Sequence, residues 1–414
     1  MERISFLALA LLLACSPKAG PSVMPWEGKL AGGEAETDVA VGAPLPAWSE
    51  GFFDIHHINS ARGECSFLIY PDGTTMVVDV GEFVDYQSSS YAKVTPRPSQ
   101  DVRPSEVYAR YIRHFLPKGS SRLDYCMLSH YHMDHIGRIE SRFGRSEAGG
   151  YVLSGVTALY ESVPFDKVID RSYPVYDKEG LATPDQGDLI PEYAAFVAYR
   201  TKNSGLVAEK CAVGSTTQVA MRHNAGAYPG FKAQNWAASG HYWNGKEVVN
   251  ANTSGSFREN AMSCATLFSY GKFDYWTSGD GTTCDVAASA FIPQRVEAMK
   301  ANHHMSNGTM DATELGRFRP KVVATQSFYV RDVQPNQTIM HRLLDNPGGP
   351  ALFFTNIEQV TRDTDPSLYA KTAAIGGHIV IRVQPGGDVF WVYMLDDTDF
   401  EYKVKSIHGP YTCE

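Results

Sequence analysis

Short apolar runs bounded by turn residues fill the first third of the chain. Residues 52–58, 65–70 and 75–80 have strand length, and Pro71-Asp72-Gly73 between the last two is a turn signal. The period then changes. Val107, Tyr111, Ile112 and Phe115 fall near one helical face and Pro104 suits a first turn, so a helix is predicted over 104–115. The apolar run 123–128 again has strand length and leads straight into polar residues. Residues 165–171 predict a short strand and loop, 191–201 a helix starting at Pro191, and the glycines, asparagines and aromatics of 221–258 loops. Residues 321–324 are a strand candidate. Residues 377–384 and 388–394, split by Pro385-Gly386-Gly387-Asp388, predict a hairpin. Strands alternating with helices predict an α+β fold of two mixed sheets packed face to face with helices outside.

The run 123–128 delivers Ser129-His130-Tyr131-His132-Met133-Asp134-His135. A strand points alternate side chains to opposite faces, so His130 and His132 can share one face. The turn that follows brings Asp134 and His135 to the same point from another side. Imidazole and carboxylate suit zinc, iron or manganese, and four such ligands in this order leave room for two adjacent ions. Other chemistries lack their signatures. The chain has no Gly-x-Ser-x-Gly elbow, no Gly-x-x-x-x-Gly-Lys-Ser/Thr phosphate loop and no Cys-x-x-Cys pair.

This His-x-His-x-Asp-His spacing resembles the signature of the metallo-β-lactamase superfamily. Further segments agree in order over residues 50 to about 310. Phe273 to Asp280 resembles the strand and Gly-Asp turn that carry a bridging aspartate, here Asp280. Val296 to His304 resembles the strand that delivers the last histidine. The stretches from Phe53 to Ser66 and from Pro71 to Gly81 resemble the opening hairpin, ending in Asp79. The nearest resemblance is to the stand-alone relatives of the hydrolase domain of the competence protein used in DNA uptake. It is carried by Gly63-Glu64, His303-His304 and Asn260-Ala261-Met262-Ser263. The chain departs from that pattern at Arg62 and Glu64, and at Met305 where Gly is usual. Asn260 also stands where most members of the superfamily carry a histidine.

The resemblance implies a four-layer αββα sandwich and a metal-dependent hydrolase holding one or two Zn2+ ions, with Mn2+ or Fe as alternatives. His130 and His132 would serve one ion, Asp134, His135 and His303 the other, and Asp280 both. Asp134 and Asp280 would be the catalytic carboxylates. Asp79 would accept a ligand imidazole N–H, or simply form the turn before Gly81. Glu64 is a candidate support for the site. His304 is either a substrate contact or an alternative ligand. Asn260, water and His241 are the candidates to complete a metal position one nitrogen short. The implied substrate is a phosphodiester or a small ester, lactone or amide. The alternatives are a surface binding protein with a degenerate metal site, and a di-iron redox protein that would need a flavin-binding partner domain.

Length and charge narrow this. The 414 residues, 43% hydrophobic, suffice for a large core. The net charge of −9 without a basic run argues against tight binding of duplex nucleic acid. Arg3 and the apolar run 4–14 end in Leu12-Leu13-Ala14-Cys15, which resembles a bacterial lipobox. The expected organisation is a lipoprotein signal peptide over 1–15, a flexible tether over 16–48, and one domain over 49–410 with a long insertion at about 141–258. The expected location is the cell envelope, with the membrane reached through a lipid on Cys15. Of the other six cysteines, Cys65, Cys126 and Cys264 sit in apolar stretches and predict core positions. Cys211, Cys284 and Cys413 are disulfide candidates.

Overall fold

Several strand candidates carry apolar side chains on consecutive positions, which is what a strand covered on both faces requires. Thr75–Val78, Leu123–Met127 and Phe273–Thr277 are buried at every residue. The computed structural model describes residues 39–84, 94–176, 189–328 and 334–414. The expected signal peptide and residues 16–38 of the expected tether lie outside them. Residues 39–48 of that tether pack on the domain: Gly42 N donates to Val404 O at 2.8 Å, and Trp48 Nε1 to Phe52 O at 2.7 Å.

Among the described residues, two nine-stranded mixed sheets form the frame. The first runs Val404–Thr412, Val389–Leu395, His378–Val383, Phe53–His57, Ser66–Ile69, Thr75–Val78, Leu123–Met127, Phe165–Asp170, Val207–Lys210. It is antiparallel as far as Thr75–Val78 and parallel beyond. The second runs Ala374–Ile375, Ala351–Phe354, Val322–Thr325, Ala298–Lys300, Phe273–Thr277, Ala265–Tyr270, Phe231–Ala238, His241–Trp243, Val248–Asn250. There the first five strands are parallel.

Between the sheets lies a core that includes Phe53, Ile55, Leu68 and Met76 of the first and Phe268, Tyr275, Ala298 and Val322 of the second. The outer face of the first sheet is covered by the helices Pro104–Phe115, Val156–Ser162 and Leu189–Asn203. The outer face of the second is covered by Cys284–Ser289, Ala312–Phe318 and Gln337–Leu344. This is the four-layer αββα sandwich of an α+β protein. Among the described residues no helix is long and apolar enough to cross a membrane.

Residues 141–258 build both sheets. Phe165–Asp170 and Val207–Lys210 extend the first, and Phe231–Ala238 pairs along Ala265–Tyr270 in the second. The loop expectation for 221–258 is corrected here. In Phe231–Ala238 the alternation starts clearly, with Phe231 and Ala233 buried and Lys232 exposed. It is then blurred by Asn235, which is buried because Thr266 Oγ1 and Gln218 satisfy its side chain. Tyr242 and Trp243 anchor this region: Tyr242 stacks on Phe291, and the Trp243 ring closes over Gly214. The six described cysteines are all buried free thiols. Cys211 and Cys413 belong to the core between the sheets and Cys284 to the outer core, so the disulfide expectation for these three is not met.

Candidate metal centre

The parallel strands Thr75–Val78 and Leu123–Met127 end side by side, and the turns that leave them are locked together. Asp79, at φ 60°, accepts hydrogen bonds from Ser129 N (2.7 Å), Ser129 Oγ (2.7 Å) and His135 Nδ1 (2.8 Å). Gly81 is required by proximity, because a Cβ there would lie 1.9 Å from Asp134 O. On the other flank Tyr131 N donates to Glu259 Oε1 at 2.8 Å, and Glu259 is paired with Arg171 by two 2.7 Å bonds. The segment between His130 and His135 is therefore held from both sides before any ion is considered.

The second sheet supplies the rest. Phe273–Thr277 leads to the Gly279-Asp280 turn, and Ala298–Lys300 leads to His303 and His304. The histidine pair is not on a strand. His303 and His304 adopt left-handed backbone (φ 47° and 52°) inside a short 3₁₀ segment. Such backbone costs about 1–3 kcal/mol per non-glycine residue. It directs the two rings to different sides of Asp280. His303 Nε2 lies 3.5 Å from Oδ2, and His304 Nε2 lies 3.4 Å from Oδ1.

Two donor sets result. In the inner one His135 Nε2 is 3.1 Å from Asp280 Oδ1 and 3.9 Å from Asp134 Oδ2. His304 Nε2 is 3.4 Å from each of the same two oxygens. A tetrahedral zinc with ligands at about 2.0–2.1 Å holds its donors about 3.3 Å apart, close to the three shorter of these four separations. His135 Nε2, His304 Nε2 and Asp280 Oδ1 are buried and have no hydrogen-bond partner among the described residues. The other ring nitrogens are engaged, His135 Nδ1 by Asp79 and His304 Nδ1 by Gln326 O at 3.0 Å. Buried polar atoms left without partners are costly unless something absent from the protein chain satisfies them. The outer set is His130 Nε2, His132 Nδ1 and Asp280 Oδ2, with 3.0 Å between the two nitrogens and 3.7 Å from His130 to the carboxylate.

Sequence placed His303 with Asp134 and His135. In the structure His304 stands there, and His303 lies on the outer side with Asn260 Nδ2 3.2 Å from its Nε2. His241 joins neither set, since its Nδ1 faces Ser239 O at 2.8 Å. Glu64 is buried against the inner set, within ligand-cluster distance of His135, Asp280 and His304. His56 and His57 are core residues, bonded to Tyr111 and to Ser66 and Gln326.

The charges are strongly coupled. Burial alone would neutralise His135, but Asp280, Asp134, Asp79 and Glu64 around it hold its pKa well above the usual histidine value. The same contacts work in reverse on the carboxylates: against burial, His135 and His304 bring Asp134 down to about 2, and Asp280 falls well below its ordinary value. Burial and the neighbouring His135 push His130 well down, which favours the neutral imidazole that binds metal.

Lys300 is a site residue that the motifs did not reveal. It ends the strand Ala298–Lys300, is fully buried, and places Nζ 2.9 Å from Glu64 Oε2. Burial pulls its pKa down, but Glu64 and Asp280 outweigh that and leave it raised. The available signal was a lysine inside an otherwise apolar strand run that leads to the histidine pair.

No protein-family model matches the chain, and no curated protein matches it. Among solved structures, Zn2+-bound PqqB from Methylobacterium extorquens aligns over 77% of this chain and 87% of that chain. The identity is 13% and the TM-score 0.33. The metallo-β-lactamase-like sandwich is assigned from the strand order and the helix layers described above.

Proposed function

We propose that this protein is a metal-dependent hydrolase of the metallo-β-lactamase superfamily, with Zn2+ as the favoured ion. The observation that carries the reading is the inner donor set: the buried atoms His135 Nε2, His304 Nε2 and Asp280 Oδ1 have no hydrogen-bond partner among the described residues, and Asp134 Oδ2 and Glu64 stand beside them. His135, His304, Asp134 and Asp280 would hold that ion. His130, His132 and the second oxygen of Asp280 would hold another, with His303 and Asn260 beside it. When bound, the ion supplies Lewis-acid activation of water and of a carbonyl or phosphoryl oxygen. Asp134 would orient the attacking water, and Asp79 fixes the tautomer of His135 by accepting from Nδ1.

The substrate class we favour is a small or short phosphodiester, on the resemblance to the competence-protein hydrolases, with small esters, lactones or amides next. Tight binding of duplex nucleic acid is not part of this reading, given the net charge of −9. Leu12-Leu13-Ala14-Cys15 supports export to a bacterial cell envelope and attachment through a lipid on Cys15. Cys15→Ser should release the protein from the membrane fraction or leave the precursor uncleaved; unchanged partitioning and processing would refute the anchor.

Metal analysis of the purified protein, with turnover assays on a chromogenic phosphodiester, a lactone and a β-lactam, tests the function. Tight Zn2+ with turnover of one substrate is expected. Metal without turnover of any of the three would favour a binding protein with a degenerate site. No Zn, Mn or Fe binding at micromolar concentration would refute the metal centre itself.

A further inference from the structure

We infer that Lys300 is a positioning residue of the metal centre: its ammonium ties the Asp280 turn to Glu64 and so sets where Asp280 and His304 present their ligand atoms. The inference deepens the metal-centre reading and rests on it. Lys300 Nζ donates to Gly279 O at 2.7 Å, lies 2.9 Å from Glu64 Oε2 and reaches within 4.0 Å of Asp280 Oδ1. Gly279 O also accepts from His303 N at 3.1 Å. One carbonyl thus joins the turn bearing Asp280 to the turn bearing the histidine pair, and Lys300 pins that carbonyl from below.

Glu64 completes the tie. Its Oε2 lies 3.3 Å from His304 Nδ1, so the oxygen that meets Lys300 also meets the ring whose Nε2 faces Asp134 and Asp280. Glu64 itself is held from the opposite side, where its backbone N donates to Asp134 O at 2.8 Å and its carbonyl accepts from Gly81 N at 2.8 Å. The Lys300–Glu64 pair therefore connects the first-sheet loops to both second-sheet turns. Asp79, Asp134, Asp280 and Glu64 converge at this point, and Lys300 offsets one of these four carboxylates inside the protein. It also faces Glu64, which itself stands close enough to His135, Asp280 and His304 to act as a ligand. A residue that only filled space here would be replaceable by methionine. An ammonium that orients ligands would not be.

The test uses the mature chain freed of metal and titrated with Co2+, read by its visible d–d absorption, with circular dichroism to monitor the fold. Lys300→Met should retain the fold, bind its first Co2+ about tenfold or more weakly, and show an altered d–d spectrum. Lys300→Arg should recover part of the affinity. Wild-type affinity and spectrum in a folded Lys300→Met protein would overturn the inference and leave the metal-centre reading standing. Wild-type protein that takes up no Co2+ would instead refute that reading. If Lys300→Met does not fold, Glu64→Gln removes the charge from the same tie with the lysine in place. It should alter the Co2+ spectrum, and an unchanged spectrum would overturn the inference.

Discussion

His303 and His304 are consecutive residues whose rings meet opposite oxygens of Asp280, Oδ2 at 3.5 Å and Oδ1 at 3.4 Å. On a strand, neighbouring side chains face apart and could not share one carboxylate in this way. The left-handed turn at φ 47° and 52° converts the pair into a fork around Asp280. The carboxylate becomes the partition between an enclosed position, lined by His135, His304 and Asp134, and a more open one near His130, His132 and His303.

That partition predicts unequal effects from neighbouring substitutions. His304→Ala removes a fully buried donor from the inner set and should abolish the tightest metal equivalent. His303→Ala should leave that equivalent bound and weaken only further uptake. Metal content after gel filtration into chelator-treated buffer distinguishes the two. Equal loss in both variants would count against the assignment of His304 to the inner position.

Asp79 should matter without touching the ion. It receives Ser129 N, Ser129 Oγ and His135 Nδ1, so it fixes both the turn and the ring of one ligand. Asp79→Asn presents an amide to a ring that must donate from Nδ1. Loss of a support of this kind weakens metal binding by about 10–100-fold. Competition with a chromogenic chelator measures it. Wild-type affinity in the Asp79→Asn variant would show that Asp79 only forms the turn.

Much of this arrangement was legible in the chain. The helix Pro104–Phe115 follows from its apolar face and its proline, and the strand before His130 from the apolar run 123–128 that leads into it. His130, His132, Asp134, His135 and Asp280 come together as their motifs imply. What the sequence did not separate was His303 from His304, because alternation presumes extended backbone and the turn there is left-handed. Phe231–Ala238 was hidden by Asn235, whose burial depends on partners at Gln218 and Thr266. Lys300 was hidden because a buried lysine is paired only by tertiary contacts, and nothing in its sequence neighbours names Glu64.

Away from the metal, Asp274 makes stability pH-dependent. Burial pushes its pKa up to about 6, even though Ser269 and Gln294 donate to it. The folded state therefore holds this proton more tightly than the unfolded chain does. Below about pH 4 the carboxyl is protonated in both states and carries no penalty. As pH rises from there through 6 the folded state loses stability, and the loss is complete above that value. Asp274→Asn removes the titration. Its stability gain should be near zero at acidic pH and reach at most about 3 kcal/mol at pH 8, by roughly 1.4 kcal/mol per pKa unit. Urea unfolding of both proteins across this range tests it; a gain that does not grow with pH would be the wrong sign or the wrong residue.

If both positions take a metal ion, Asn260 should set the balance between them. Its Nδ2 lies 3.2 Å from His303 Nε2, and its Oδ1 is buried without a hydrogen-bond partner among the described residues. An amide is a poorer zinc donor than an imidazole, so the outer position has His130 and His132 as its nitrogen pair and shares Asp280 with the inner one. The inner position has two nitrogens, with the carboxylate oxygens of Asp280 and Asp134 3.1–3.9 Å from them. Wild-type protein should therefore show one tight and one weak Zn2+ equivalent in calorimetric titration. Asn260→His should tighten the weak equivalent and leave the tight one unchanged, because Asn260 faces His303 on the outer side of Asp280. Two equally tight equivalents in the wild type would mean that His303 already supplies the missing nitrogen. In that case His303→Ala, and not Asn260→His, would be the substitution that separates the two sites.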